Sequence, residues 1–264
     1  MIIAEIGWNF LGNLNLAKKM IKSAHQNGCK YVKFQLWDPK NLKRGPWDKD
    51  GRREIYNKAY LSNENYFVLY KYSKLLNIDC FASVFSTYDY ERLKEVSNKF
   101  IKIPSLEAYD LKIIKKSLNE FETVILSTGA LRYKELKELE RFSNCKNLIV
   151  LHCVSIYPLN HENSNFAKFF YLKKKFQRVG YSGHCSGIED ALFAISNGAK
   201  CVEKHFTTNQ KLEGRDNKFA ILPKELNYLC NFFELKKKMM IDVGLDLQNL
   251  ERDIYKNYRG RWKK

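Results

Sequence analysis

Short apolar runs alternate with longer amphipathic stretches along most of this chain. Runs rich in Ile, Val, Phe and Tyr are typical of strands, and apolar residues spaced three or four apart are typical of helices. Eight parallel strands, each followed by a helix, form a closed (β/α)8 barrel whose strands are apolar on both faces. The pattern therefore predicts an α/β fold, a TIM barrel. The predicted strands are 2–6, 31–35, 78–83, 100–105, 123–128, 148–153, 178–182 and 201–206, and the predicted helices are 14–27, 64–76, 88–98, 109–119, 133–142, 164–175, 187–198 and 223–238.

One long connection, residues 36–63, interrupts this alternation after the second strand and is rich in Trp, Pro, Gly and charged residues. Connections longer than about 12–15 residues are usually functional or disordered. This one follows the carboxyl end of a strand, where barrel enzymes bind substrate, so we predict that it is a lid. We assign residues 1–243 to a single barrel domain and 244–264 to a basic, partly helical C-terminal tail.

The formal charge of +17 is high enough to suggest a nucleic-acid partner. The lysines, however, are scattered through helical patterns such as LKKKF (172–176), which indicates a solvated surface. We therefore expect no nucleic-acid partner and an anionic small substrate, which such a field attracts. There is no apolar run of about 18 residues and no signal peptide, so we expect a cytoplasmic protein without a membrane partner. The seven cysteines form no C-x-x-C motif, and we expect reduced thiols.

Polar side chains stand at or just beyond the carboxyl end of every predicted strand, the face that carries catalytic groups in barrel enzymes. Lys33 and Lys102 lie inside apolar strands, where an unpaired ammonium would be costly, so an anionic ligand is the expected partner. The alternative is that each lysine points outward between helices and extends its ammonium to water. If the lysines attract a phosphate or carboxylate, nearby hydroxyl groups would fix the orientation of that anion through hydrogen bonds. The candidate hydroxyls are those of Ser105, Ser127 and Ser182.

Glu5 ends the first strand and is the candidate general base or water-orienting carboxylate; the alternative is an ion pair with a barrel lysine. His184 and His205 are 21 residues apart, at the ends of the seventh and eighth strands. Two imidazoles on neighbouring strands can share a divalent metal with open positions, acting as a Lewis acid. The alternative for each is a hydrogen-bonded structural histidine, as we expect for His152.

Eight motifs in order along residues 1 to about 230 resemble the sialic acid synthase family, which includes the N-acetylneuraminate, legionaminate and pseudaminate synthases. Because the motifs are many and ordered, the resemblance is specific. The motifs are AEIGWN (4–9), VKFQ (32–35), FIKIPSLE (100–107), ILSTGA (125–130), LHCVSIYP (151–158), GYSGH (180–184), EKHFT (203–207) and EGRD (213–216).

The resemblance implies a transferase that condenses phosphoenolpyruvate with an N-acylated sugar aldehyde. The products are a sialic-acid-like 2-keto-3-deoxy sugar acid and phosphate, made for surface glycans such as capsule or lipopolysaccharide. It implies a divalent cation, Mn²⁺ first and Mg²⁺ or Co²⁺ as alternatives, held by His184 and His205. The implied catalytic residues are Glu5, Lys33, Lys102 and Glu107, and the implied substrate-binding residues are Asn9, Gln35, Ser83, Ser105, Ser127, Ser155, Tyr157, Ser182 and Asp216.

The chain departs from the family pattern at three motifs and in its extent. Asn9 is followed by Phe10 where the family has His, Gly183 stands where the family has Asp, and the segment 83–86 reads SVFS instead of STPF. Full-length members carry an antifreeze-like C-terminal domain that supplies an arginine from the partner subunit, and we expect no such domain here. To explain this departure we rank first an acceptor other than an N-acetylhexosamine, ahead of a separate chain that supplies the contact or a lid and tail that take over part of the role. A homodimer is also open.

Two other functions remain open at this point. A non-catalytic or partner-dependent relative that binds sugar or phosphoenolpyruvate would explain the departures at Phe10 and Gly183. Another metal-dependent barrel enzyme, an aldolase or hydrolase, could also use two histidines and a carboxylate. Retention of Glu5, both histidines and both lysines favours the synthase, because a binding module does not need the complete set.

Overall fold

The computed structural model describes residues 1–262 and contains a closed barrel of eight parallel strands in chain order. Every predicted strand is confirmed, and each predicted strand end lies within two residues of the observed one. The strands are β1 (Ile2–Gly7), β2 (Tyr31–Leu36), β3 (Asp79–Val84), β4 (Phe100–Ile103), β5 (Thr123–Ser127), β6 (Leu148–His152), β7 (Val179–Gly183) and β8 (Val202–His205).

Helices follow the strands as the pattern predicts, with one addition. The additional helix is α2, a short helix inside the lid. The predicted helix 133–142 is divided into an α-helix and a 3-10 turn at Glu140–Phe142. The helices are α1 (Leu14–Gln26), α2 (Arg52–Lys58), α3 (Asn63–Leu75), α4 (Thr87–Val96), α5 (Leu111–Glu120), α6 (Tyr133–Leu139), α7 (Phe166–Lys175), α8 (Glu189–Ser196) and α9 (Pro223–Met239).

Side-chain caps fix where several of these helices begin. Asn13 accepts a hydrogen bond from the Leu16 amide at the start of α1, and Asp110 accepts two backbone amides at the start of α5. Ser62 and Ser86 cap α3 and α4 in the same way. Each cap pairs backbone N–H groups that the first turn of a helix leaves without a partner. The loop that joins the preceding strand to the helix therefore ends at a defined residue.

The barrel interior is divided into an apolar and a polar part. Alternate strand residues point inward, and at the amino ends of the strands the inward residues form one apolar cluster. This cluster closes the lower end of the barrel, so any site has to lie at the carboxyl ends. The cluster consists of Ile3, Phe81, Ile125, Ile149, Leu151 and Cys201.

The lid is ordered rather than structureless. It contains 3-10 turns at Pro39–Asn41 and Pro46–Asp48 in addition to α2. Trp37 Nε1 donates to the Tyr56 carbonyl (3.1 Å), which ties the start of the lid to α2. This internal packing explains how a long connection keeps one shape over the barrel rim.

The remaining expectations about the chain concern its thiols, its tail and the membrane. All seven cysteines are free, as predicted. Within residues 1–262, no helix is both long and apolar enough to cross a bilayer. The tail has short helical turns at Asn249–Glu251 and Ile254–Tyr258, which confirms a partly helical tail up to residue 262. Residues 263 and 264 lie outside the described part.

Candidate active site

Two lysines and two glutamates form a buried charge network above the apolar cluster. Lys33 Nζ lies 2.8 Å from Glu5 Oε2 and 3.8 Å from Glu203 Oε2. Lys102 Nζ lies 2.8 and 2.9 Å from the two carboxylate oxygens of Glu203. All four side chains are at most 8% exposed, so water does not solvate their charges. The ammonium and carboxylate groups offset one another's charge instead. With the serines that join them, they form what we call the polar layer: Glu5, Lys33, Ser83, Lys102, Ser182 and Glu203.

The network decides between the alternatives that the sequence leaves open. The lysines do not extend outward to water; that alternative is wrong, because both ammonium groups are buried inside the barrel. Glu5 does form an ion pair with a barrel lysine. The partner of Lys102 is Glu203, a residue to which the sequence analysis assigned no role. The signal for Glu203 was its position two residues before His205, since residues two apart on a strand face the same side.

The two carboxylates of the polar layer differ in their pKa values, because the lysines offset the effect of burial to different extents. Burial raises the pKa of Glu5 to about 7, and Lys33 offsets only part of this effect. Burial also opposes ionisation of Glu203, but Lys102 and Lys33 together outweigh it and lower the pKa of Glu203 to about 2. Glu203 is therefore a fixed anion, whereas Glu5 can gain or lose a proton near neutral pH. Gln35 Nε2 donates to Glu5 Oε1 (2.6 Å) and orients that carboxylate.

His184 and His205 lie side by side at the carboxyl ends of β7 and β8, with ring centroids 5.7 Å apart. His184 Nδ1 donates to the Val154 carbonyl (2.7 Å), so its Nε2 carries the lone pair. Burial lowers the pKa of His184 to about 4 and that of His205 well below its usual value, which makes both rings neutral at pH 7. Among residues 1–262, the buried His205 Nδ1 has no hydrogen-bond partner, and it lies 3.4 Å from Asp216 Oδ2.

These residues fit the predicted divalent cation. Neutral imidazoles and a carboxylate are ligands that Mn²⁺ and similar ions take, and the unpartnered Nδ1 of His205 is such a donor. In the described residues, no group of three or more His, Cys, Asp or Glu side chains is arranged to hold a metal. Substrate or water would have to supply the remaining ligands. The metal therefore stays a prediction.

A second polar group, which we call the serine cradle, consists of Ser105, Ser127, Gly129 and Ser155 at the ends of β4, β5 and β6. The Gly129 amide donates to Ser105 Oγ (3.0 Å). The hydroxyls of Ser127 and Ser155 are buried and have no hydrogen-bond partner in the described part of the chain. A side chain at position 129 would overlap Ser155 and Ser105, so only glycine allows this approach. The three serines are predicted site residues, whereas Gly129 is not, although it lies within the ILSTGA motif.

The other predicted site residues divide into two sets. Tyr157 packs on His184 with ring centroids 4.1 Å apart, and Asp216 accepts a hydrogen bond from Trp8 Nε1 beside His205. Asn9 instead donates from a buried position to the Phe206 carbonyl (2.9 Å). Glu107 is half-buried in a 3-10 turn after β4 and, within residues 1–262, makes no side-chain hydrogen bond to the rest of the site.

Phe10 and Phe85, two departures from the family pattern, and His152 all have packing roles outside the polar layer. Phe10 is 1% exposed and packs edge-on against Phe34, in the core between barrel and helices. Phe85 packs against Trp37 at the start of the lid. His152 is buried and its Nε2 lies 2.7 Å from the Ser164 carbonyl, which confirms the structural role expected for it. Phe10 therefore does not project into the polar layer.

Aromatic side chains line the rim where the lid meets the barrel, a feature that the sequence analysis did not identify. Trp8 packs against Trp37 and Tyr56, with ring centroids 5.8 and 5.3 Å apart. Phe85 extends the group through its contact with Trp37 (6.1 Å). Because Trp8 also contacts Asp216, this aromatic group places the lid directly beside the two histidines.

The chain is similar to proteins of known activity over nearly its whole length. A model described as the NeuB family matches residues 20–243. The N,N'-diacetyllegionaminic acid synthase of Campylobacter jejuni is 33% identical over 259 residues, which cover 92% of this chain and 78% of that protein. The N-acetylneuraminate-9-phosphate synthase of Drosophila melanogaster is 34% identical over 243 residues, covering 86% of this chain and 65% of that protein.

Solved structures agree with these relatives. The N-acetylneuraminic acid synthetase of Leptospira borgpetersenii, in complex with citrate, superposes with a TM-score of 0.86 at 31% identity. That match covers 99% of this chain and 92% of the other. A truncated 3-deoxy-D-arabino-heptulosonate 7-phosphate synthase from Thermotoga maritima, at 15% identity and a TM-score of 0.67, shares the fold.

The charge network predicts a large effect of one uncharged substitution. Glu203→Gln should destabilise the protein by about 3–5 kcal/mol, because two buried ammonium groups would share a single carboxylate. Glu234→Gln, which breaks the exposed Lys237–Glu234 pair, should cost less than about 1 kcal/mol. Urea unfolding of both variants measures the difference. A Glu203→Gln protein as stable as the wild type would show that the network does not hold the barrel together.

Proposed function

The chain belongs to the NeuB family, and we propose that it condenses phosphoenolpyruvate with a sugar aldehyde to give a sialic-acid-like 2-keto-3-deoxy sugar acid and phosphate. The observation that carries this proposal is the polar layer, which places two lysines and a proton-accepting glutamate beside a histidine pair. A surface glycan, such as capsule or lipopolysaccharide, is the product we propose for the pathway. The seven free thiols are consistent with the reducing cytoplasm that we propose as its compartment.

Phosphoenolpyruvate carries a carboxylate and a phosphate, and both groups have suitable partners here. Lys33 and Lys102 supply positive charge in a place without water, where charge-assisted hydrogen bonds are strong. Within residues 1–262 the hydroxyls of Ser127 and Ser155 have no hydrogen-bond partner, and they supply donors for anionic oxygens. In the free protein Glu5 and Glu203 neutralise the lysines, so binding of the substrate has to compete with these carboxylates or share their partners.

Glu5 is the residue that we propose to handle the water. Carbon–carbon bond formation uses the electrons of the C2=C3 double bond of phosphoenolpyruvate, and the aldehyde oxygen takes up a proton. Water then adds to C2 and gives a proton to Glu5, whose pKa of about 7 suits that task. The C2–O bond to phosphate then breaks while the new C2 hydroxyl gives its proton to the leaving phosphate, which leaves a 2-keto acid and inorganic phosphate. Lys33, 2.8 Å from Glu5, holds the carboxylate in position.

His184 and His205 are the residues that we propose to hold a divalent cation, Mn²⁺ first and Mg²⁺ or Co²⁺ as alternatives, with Asp216 adjacent. When bound, the cation would polarise the acceptor's aldehyde. The chain's own contribution is to keep both rings neutral through burial. The Val154 carbonyl in addition fixes the His184 tautomer by accepting from Nδ1, as hydrogen-bond acceptors on the far nitrogen of a metal-binding histidine do.

The aromatic group at the rim indicates which kind of acceptor sugar binds. Trp8, Trp37 and Tyr56 present apolar ring surface beside Asp216 and the histidines. Such surface favours a sugar with apolar substituents, such as N-acetyl methyl groups and deoxy positions, over a fully hydroxylated hexose. We therefore propose an N-acylated deoxy aldose as acceptor. A homodimer or a separate partner chain could complete this side of the site.

The reading as a non-catalytic relative rests mainly on the departures at Phe10 and Gly183. Phe10 packs in the core outside the barrel, so this departure places no bulky group in the polar layer. The polar layer also exceeds what binding alone requires, since it includes a carboxylate poised near neutral pH. These points favour the synthase.

Phosphate release from phosphoenolpyruvate in the presence of Mn²⁺ tests the proposed function. We expect release that depends on the acceptor, strongest with N-acylated deoxy aldoses and weak with pentoses or glucose. A panel of aldoses assayed for inorganic phosphate gives the measurement. Absence of release with every acceptor, despite binding of phosphoenolpyruvate, would favour the non-catalytic or partner-dependent reading.

Lys102→Ala tests the substrate site separately from turnover. We expect phosphoenolpyruvate binding to weaken by about 1.5–3 kcal/mol, because a charge-assisted hydrogen bond is lost. Lys99→Ala is the matched control: Lys99 lies just before the same strand at the opposite end of the barrel, where it pairs with Asp79 (2.8 Å). Calorimetric titration compares both variants with the wild type. Equal losses in the two variants would remove Lys102 from the site.

A further inference from the structure

A second buried charge pair lies behind the two histidines, on the outward face of β7 and β8. Lys204 Nζ lies 3.0 and 3.1 Å from the two carboxylate oxygens of Asp190, at the start of α8. It also donates to the Cys185 carbonyl (2.7 Å), and the Tyr181 hydroxyl donates to Asp190 Oδ2 (3.0 Å). Lys204 is 2% and Asp190 3% exposed, so neither charge has access to water. Removing one partner of this pair would therefore destabilise the protein as strongly as breaking a pair inside the barrel.

The chain connects this outer pair to the histidines. Cys185 directly follows His184, and Lys204 directly precedes His205. The Lys204 ammonium thus links the main chain beside one imidazole to the strand that carries the other. The Val154 carbonyl holds the His184 ring from the opposite side. Together these contacts hold the His184 and His205 rings at a fixed distance and orientation relative to each other.

Gly183 shows why the carboxylate comes from α8. A side chain at position 183 would overlap Asp190 Oδ2, and its Cβ would lie 2.7 Å from Tyr181 Cε1 and 3.0 Å from Lys204 Cδ. The Asp190 carboxylate thus occupies the space into which a residue at 183 would project. Position 183 is also where the family pattern has an aspartate. A carboxylate at position 183 would face the same ammonium once the Asp190 side chain is removed and the Tyr181 ring shifts to admit its Cβ.

We propose that Asp190 is a positioning residue that, through Lys204 and the Cys185 carbonyl, sets the geometry of His184 and His205. It does so from the space that a side chain at position 183 would otherwise fill. Gly183 and Asp190 form one unit, because the Asp190 carboxylate fits here only when position 183 carries no side chain. The consequence for metal binding rests on the proposed function, whereas the consequence for the His184 ring does not.

The test compares Asp190→Ala, Gly183→Asp and the double variant Gly183→Asp/Asp190→Ala. In Asp190→Ala, Mn²⁺ affinity should fall about 10–100-fold, the range for residues that orient metal ligands, while phosphoenolpyruvate affinity stays within about twofold. The double variant should regain most of the Mn²⁺ affinity. Gly183→Asp alone should not improve on the wild type, because two carboxylates would compete for one ammonium. Titration of metal-free protein with Mn²⁺ gives the affinities.

A second readout makes the test independent of the metal. In ¹⁵N-histidine-labelled protein, His184 should show the Nδ1–H tautomer in the wild type, lose its hydrogen-bonded signal in Asp190→Ala and regain it in the double variant. Asp79→Ala is the matched control, since it removes the carboxylate partner of Lys99 at the other end of the barrel and should leave the His184 signal unchanged.

Two results would overturn the proposal: a folded Asp190→Ala with an unchanged His184 signal, or a double variant no better than Asp190→Ala. If the wild type binds no Mn²⁺ but the His184 signal behaves as expected, the metal assignment fails and the positioning role of Asp190 stands.

Discussion

The structure depends on charge neutrality inside the barrel. Glu5, Lys33, Lys102 and Glu203 are contributed by four strands, and each is buried beyond the reach of water. The two ammonium groups have carboxylate partners only when β1, β2, β4 and β8 stand in the observed register, since buried ions without partners cost several kcal/mol each. The network therefore constrains the barrel to a single arrangement. It also keeps polar a region that apolar side chains would otherwise fill.

The last strand shows how one sequence serves both faces of the barrel wall. In β8, Glu203 and His205 point inward to the polar layer and the histidine pair, while Lys204 points outward to Asp190. Strand alternation thus places a substrate-side anion, a candidate metal ligand and a supporting cation on three consecutive residues. The inner charges are suited to binding an anionic substrate, and the outer pair braces the main chain beside the histidines.

The sequence predicted the barrel well because its signals are local. Apolar runs and capping residues such as Asn13 and Asp110 act within a few positions, and the strands and helices followed them. The nominated residues Glu5, Lys33 and Lys102 did meet, but their partners were not predictable. Whether Lys102 faces a ligand or Glu203 depends on contacts across 101 residues of chain. Gly129 and Asp190 were missed for the same reason, since their roles appear only when neighbouring strands or helices bring the partners close.

The central claim is that the polar layer directs water to C2 of phosphoenolpyruvate, with Glu5 accepting the proton. The most direct measurement follows phosphoenolpyruvate that carries ¹⁸O in the oxygen bridging C2 and phosphorus. If water adds to C2, the C2–O bond breaks and the label leaves with inorganic phosphate, where the ³¹P NMR isotope shift detects it. Unlabelled phosphate would mean that water attacks phosphorus instead, and it would contradict the role assigned to Glu5.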